Sequence, residues 1–83
     1  MVTSKVKLIE ISTEFITLGQ FLKFADLISS GAEAKMYIAE HDILVNDENC
    51  KMRGKKLRDG DRIIINNSLV FEITKWLLKI LNL

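Results

Sequence analysis

The sequence predicts an α+β fold: two short helices packed against a small, mostly antiparallel sheet, with an amphipathic helix at the C-terminus. Three observations carry this. Two helix-start boxes, Thr17 with Gln20 and Ser30 with Glu33, each precede apolar residues at helical spacing. Downstream, short β-rich runs are bounded by Asn, Asp and Gly turn residues. The final stretch, "TKWLLKILNL", segregates lysine and asparagine from apolar side chains around a helical wheel.

Taken in order, "KVKLIEI" (Lys5 to Ile11) alternates Lys5 and Lys7 with Val6 and Leu8 and reads as a strand with one polar face. In "TLGQFLKFADLI", Thr17 is the N-cap, Gln20 closes the capping box, and Leu18, Phe21, Leu22 and Ala25 share a face. "SSGAEAKMYIAE" repeats the device: Ser30 caps, Glu33 reaches back, and Ala34, Tyr37 and Ile38 form the stripe of a second helix ending near His41. Short strands follow at Ile43 to Val45, in "DRIIIN" and in "SLVFEIT", separated by turns at Asn46-Asp47, Asp59-Gly60 and Asn66-Asn67. The C-terminal helix places Lys75, Lys79 and Asn82 opposite Trp76, Leu77, Ile80, Leu81 and Leu83.

At 83 residues the chain is expected to be a single domain, 1–83, with its core over about 17–65, an N-terminal strand at 5–11 and a C-terminal strand and helix at 68–83. A chain this short buries only roughly 60–65% of its unfolded surface, which leaves little room for a deep catalytic cavity. Apolar residues make up 48% and charged residues 28%, values of a folded protein rather than a disordered one. Its one cysteine, Cys50, cannot form an internal disulfide. No apolar run approaches the ~20 residues of a membrane span, so the expected location is the cytoplasm.

The charge pattern is uneven. "CKMRGKKLRDGD" holds Lys51, Arg53, Lys55, Lys56 and Arg58 in eight consecutive positions without a carboxylate. The chain has 12 Lys and Arg against 11 Asp and Glu, so without those five cations the remainder stands at 7 against 11, or −4. A basic island on a mildly acidic body creates a directed field for a polyanion, although a solvated loop is equally compatible with charge alone.

The order of helix, capped helix, strand ending in Val-Asn, basic loop, Asp-Gly-Asp and strand resembles the S4-type RNA-binding domain, or αL motif, over about residues 17–65. Ser30 stands where that family has the Ser that opens its second helix. Ala34 and Lys35 match its small and basic pair, and Ile38 its aliphatic. "ILVND" matches its turn, and "KKLRDGD" its approach to the last strand. Small stand-alone S4-like proteins of bacteria, the YaaA-type family, resemble "ITLGQFLKFADLISSGAEAK" and "EHDILVNDENCKMRGKKL". The chain departs from the pattern at Gly31, where many members carry Arg, at His41 and at Asp47, both positions of a common Gly. The resemblance implies binding of structured RNA, ribosomal RNA first, in ribosome assembly and without catalysis.

The residues support two neighbouring RNA-binding features. Backbone N–H groups at Ser29, Ser30, Gly31 and Ala32, at the start of a helix, suit a phosphate, with Ser30 as a plain helix cap the alternative. Lys35 adds a point charge one turn in. Arg53, Lys55, Lys56 and Arg58 are the stronger candidates, because Arg grips phosphate with a bidentate fork or stacks on a base, and Lys neutralises phosphate less directionally. Lys51 joins them, or faces solvent from a β segment. Gly54 is expected to make a turn with φ > 0, and Asn46 to hold the turn after Val45.

His41 has a helix-end role, and Cys50 lacks partners at zinc spacing. Phe15, Phe21, Phe24, Tyr37 and Phe71 are stacking candidates, with core packing favoured for most. Neither a Gly-rich phosphate loop, paired carboxylates nor a Ser-His-Asp set is legible, so no catalytic residue, cofactor or metal is expected. Two further readings remain at this point: a protein-interaction or self-association adapter anchored by Trp76, and an accessory module of an RNA-modifying complex.

Overall fold

The capping box expected at Thr17 sets the start of the first helix. In the computed structural model, which describes residues 5–75, the Gln20 N–H donates to the Thr17 hydroxyl at 3.2 Å, and the Gln20 side chain accepts the Thr17 N–H at 2.9 Å. Helix α1 (Leu18–Phe24) follows and buries Leu18, Phe21 and Leu22, with Ala25 buried at its C-cap. The helix stops well before Ile28 because the chain turns left-handed at Asp26 (φ 63°). There the N–H of Leu27 bonds the carbonyl of Leu22 at 2.9 Å and that of Asp26 the carbonyl of Lys23 at 3.0 Å, the paired bonds of a Schellman stop.

The second helical segment opens as a 3-10 turn (Gly31–Glu33) and continues as α2 (Ala34–Glu40), with Ser30 extended before it and His41 at its C-cap. Ala34 and Ile38 are buried and Tyr37 packs half-buried at the edge of the core.

Among the described residues seven strands accompany the helices: β1 (Val6–Glu10), β2 (Ile16–Thr17), β3 (Ile43–Val45), β4 (Glu48–Asn49), β5 (Lys56–Leu57), β6 (Arg62–Ile65) and β7 (Leu69–Thr74). Five form a sheet in the order β1-β7-β6-β3-β4, antiparallel except that β1 runs parallel to β7, while β2 and β5 make a separate two-stranded ladder. The turns are built as their residues demand. Asn46, Asp47, Asn66 and Asn67 all adopt positive φ, a conformation that Asn and Asp tolerate better than other side chains bearing a Cβ.

One sheet face meets the helices. Ile63, Ile65 and Ile43 are fully buried there, and Phe71 meets Phe21 edge-to-face with ring centroids 5.1 Å apart. Full burial of an aliphatic or aromatic side chain of this size stabilises by about 1.5–3 kcal/mol.

One expectation changes. In β1 the core-facing residue is Ile9, while Val6 and Leu8 are 42% and 60% exposed. The lysine alternation pointed to the wrong face, because pairing of Ile9 with Ile73 sets the parity. Strands β2, β4 and β5 carry too few residues to show a period. The C-terminal amphipathic helix expected beyond Thr74 lies outside the described residues; Thr74 itself ends β7 and is buried.

Candidate nucleic-acid interface

The first N–H groups of a helix have no partner within it. In α1 two of them are taken by the basic loop: Leu18 N–H donates to the Lys55 carbonyl at 2.8 Å and Gly19 N–H to the Arg53 carbonyl at 3.0 Å. The loop is thereby fixed by its backbone, leaving its side chains outside. Leu57, fully buried, pins the next step through the β2–β5 ladder, where Ile16 faces Leu57 and Thr17 faces Lys56. Beyond it the Arg58 N–H donates to the Asp61 carboxylate at 2.8 Å. The same carboxylate accepts the Asn46 side-chain amide at 3.0 Å, and the Asn46 side-chain oxygen accepts the Arg62 N–H at 3.0 Å. Asn46 thus holds its turn, as expected, and also ties it to β6.

Arg53, Lys55, Lys56 and Arg58 are all exposed. The ion pairs among the described residues are Arg62 with Glu72 and Lys75 with Glu14, so no carboxylate neutralises these four cations by direct contact. The side chain of Arg53 crosses α1 at Gly19, where a Cβ would lie 2.9 Å from its Cγ. The result is one open groove lined by Gly19 and Lys23 of α1, Gly31 and Ala34 at the start of the second helical segment, and Arg53 and Gly54 of the loop. The start of the second helical segment and the basic loop, expected to be neighbours, share this surface through Gly31, Arg53 and Gly54. Lys23 joins them without a sequence signal of its own, since a lone helical lysine is distinguished only by what lies across from it.

Other candidates are placed differently. The Glu33 carboxylate accepts the N–H of Ser29 at 2.6 Å and that of Ser30 at 3.4 Å. Those two amides are therefore occupied by the chain's own anion rather than open to phosphate. Lys35 is exposed on the first turn of α2. Lys51 is neither in a strand nor among the outward-facing loop cations: its ammonium donates to the Ile38 carbonyl at 3.0 Å and the His41 carbonyl at 2.8 Å, capping the end of α2. Gly54 does not have positive φ; that conformation belongs to Gly60 (φ 92°) in the Asp59-Gly60 turn.

His41 completes the helix end, its Nδ1 2.8 Å from the Tyr37 carbonyl and its ring stacked on Tyr37 at 3.8 Å. Burial pushes the Tyr37 phenol pKa upward. Cys50 is buried, and no group of three His, Cys, Asp or Glu residues is placed to hold a metal among the described residues. No helix among them is long and apolar enough to cross a membrane. Of the aromatics, Phe21 and Phe71 are core, whereas Phe24 is 57% exposed and Phe15 half-buried beside Lys56 and Arg58.

Comparison with known proteins agrees with this architecture. The S4 domain family matches residues 9–74. A protein of Bacillus subtilis (strain 168) named "Probable ribosome maturation protein RlbA" is 52% identical over 65 residues, covering 78% of this chain and 92% of its own length. No solved structure matches. The family match begins at the core residue of β1 and ends at the last residue of β7, taking in both helices, the basic loop and the groove between them, and the chain belongs to the S4 domain family.

Proposed function

We propose that this chain is a non-catalytic RNA-binding module that acts in ribosome maturation, taking structured ribosomal RNA along the groove between α1, the start of the second helical segment and the basic loop. One observation carries this reading. Arg53 is held across Gly19 by a backbone hydrogen bond, so a cation without a carboxylate partner among the described residues sits beside Lys23 and Gly31 on a surface open to a phosphate backbone. Lys55, Lys56 and Arg58 continue the charge along the ladder.

Contacts of this kind recognise RNA by shape and phosphate position, with limited reading of bases. The family supports RNA as ligand, and the name of the Bacillus subtilis relative supports maturation of the ribosome as the process. Ser29 and Ser30, with their amides on Glu33, and Lys51, which caps the end of α2, lie outside the groove lining. The test is crosslinking the protein to RNA in cells and sequencing the attached fragments. Ribosomal RNA or its precursors should dominate, with crosslinked peptides from 19–31 and 53–58; fragments without ribosomal enrichment would overturn the assignment.

A further inference from the structure

Phe15 belongs to two environments at once. Its ring lies 4.9 Å from the Lys56 ammonium and 5.4 Å from the Arg58 guanidinium carbon, both within cation–π range. The ring also lines a separate groove shared with Gln20 and Phe24. Phe24 leaves 57% of its surface exposed at the end of a helix whose other large apolar residues are buried, so it forgoes the stabilisation that packing would give.

Resting on the RNA reading above, we propose that Phe15 and Phe24 form a stacking site for one unpaired nucleotide base, with Lys56 and Arg58 holding the phosphate beside it. The charges set the direction. Glu10 and Glu14 border the groove and repel phosphate from it, although Glu14 is itself paired with Lys75. The cations stand at the Phe15 end. A neutral base therefore enters the groove while its phosphate stays by Lys56 and Arg58. Stacking tolerates any base, because every base has a π-face, and it supplies what phosphate contacts cannot: preference for an unpaired nucleotide over a duplex.

The probe is a short RNA duplex, either fully paired or carrying one bulged 2-aminopurine. The native protein should bind the bulged RNA roughly tenfold more tightly and quench the 2-aminopurine fluorescence. Phe15→Leu should erase most of that preference and the quenching, while keeping the duplex affinity and its salt dependence. Retention of both signals in Phe15→Leu would overturn the stacking site.

Equal, salt-dependent binding of both RNAs by the native protein would also overturn it and leave the basic-groove reading intact, whereas binding of neither would remove both. If Phe15→Leu melts below the assay temperature, Phe15→Trp should match or exceed the native preference and Phe24→Leu should reduce it; loss of the preference in Phe15→Trp, or an unchanged preference in Phe24→Leu, is a refutation. A native protein that sediments as a dimer while Phe15→Leu sediments as a monomer with its bulge preference intact would assign the groove to protein contacts instead and equally overturn the proposal.

Discussion

Arg53 and Gly19 are locked together twice: the Gly19 N–H donates to the Arg53 carbonyl at 3.0 Å, and the Arg53 Cγ occupies the space where a Cβ on residue 19 would come within 2.9 Å. Glycine inside a helix ordinarily costs about 0.5–1 kcal/mol relative to alanine, so its presence here has a steric reason. In Gly19→Ala, the propensity gain and the clash oppose each other, and stability should change by less than about 1 kcal/mol. The Arg53 side chain must rotate away, because its backbone is held. RNA affinity should then fall several-fold with the melting temperature nearly unchanged. Unaltered affinity would mean that the placement of Arg53 over α1 is unrelated to binding.

Lys51 stands apart from the other four loop cations, since its ammonium is committed to the Ile38 and His41 carbonyls. Lys51→Met keeps the aliphatic stem and removes the cap. It should destabilise by about 1 kcal/mol, the usual worth of exposed helix-end hydrogen bonds, and leave the salt dependence of RNA binding at the native slope. Melting curves and a salt titration on the same preparation separate these effects. A reduced slope would return Lys51 to the phosphate-binding set.

How far the sequence reached follows from which signals are local. Both helix starts were legible because a capping box is complete within four residues, and the Asn-rich turns because positive φ selects its own residues. The β2–β5 ladder was not legible: its four residues carry no period, and only the burial of Leu57 and the bonding of loop carbonyls to α1 define it. The basic cluster itself was plain. That Lys51 turns inward to a helix end, that Glu33 fills the amides of Ser29 and Ser30, and that Gly19 exists to admit Arg53 are facts of tertiary contact. Composition records charge and cannot record which neighbour already satisfies it.

Asn46 joins a strained turn to β6, which makes its two roles separable. Its φ of 51° costs an alanine about 1 kcal/mol, and its side chain makes one bond to Asp61 and one to the Arg62 N–H. Asn46→Gly relieves the first and loses the second, so it should cost about 1–2 kcal/mol. Asn46→Ala should cost about 2–3 kcal/mol. Urea denaturation of the pair gives the difference directly. Equal losses would show that the backbone conformation carries no penalty here.

Lys75 shapes the acid limb of stability through Glu14. Its hydrogen bond, then its charge, hold the Glu14 carboxyl below the ordinary value of 4.5, with Arg58 adding and desolvation opposing. A carboxyl depressed in the folded state contributes stability that is present above its unfolded value and is lost as pH falls through the folded value. The pair is exposed, so solvent screens it and the contribution at neutral pH is small. Glu14→Gln should therefore match the native melting temperature near neutrality and lose less of it below about pH 4.5. Parallel curves for the two proteins over that range would dismiss the linkage.

The strongest demand falls on Lys55 and Lys56. Each phosphate neutralised by a cation releases condensed counterions, so log affinity falls with log salt by roughly 0.7–0.9 per contact, or about −3 in total for Arg53, Lys55, Lys56 and Arg58. Changing Lys55 and Lys56 together to Ala should reduce the slope magnitude by about 1.5 and weaken binding to many structured RNAs alike. Folding should move by less than about 1 kcal/mol, because both residues are exposed and the Lys55 carbonyl and the Lys56 ladder position hold the loop through backbone, the one side-chain contact given up being that of the Lys56 ammonium with the Phe15 ring. Arg53→Lys provides the contrast: the charge count and slope stay, and affinity drops only to the extent that the planar guanidinium grips two oxygens or stacks. Slopes that coincide for the native protein and the double variant would leave the basic loop a solvated connection, and the RNA-binding reading of this surface would fall with it.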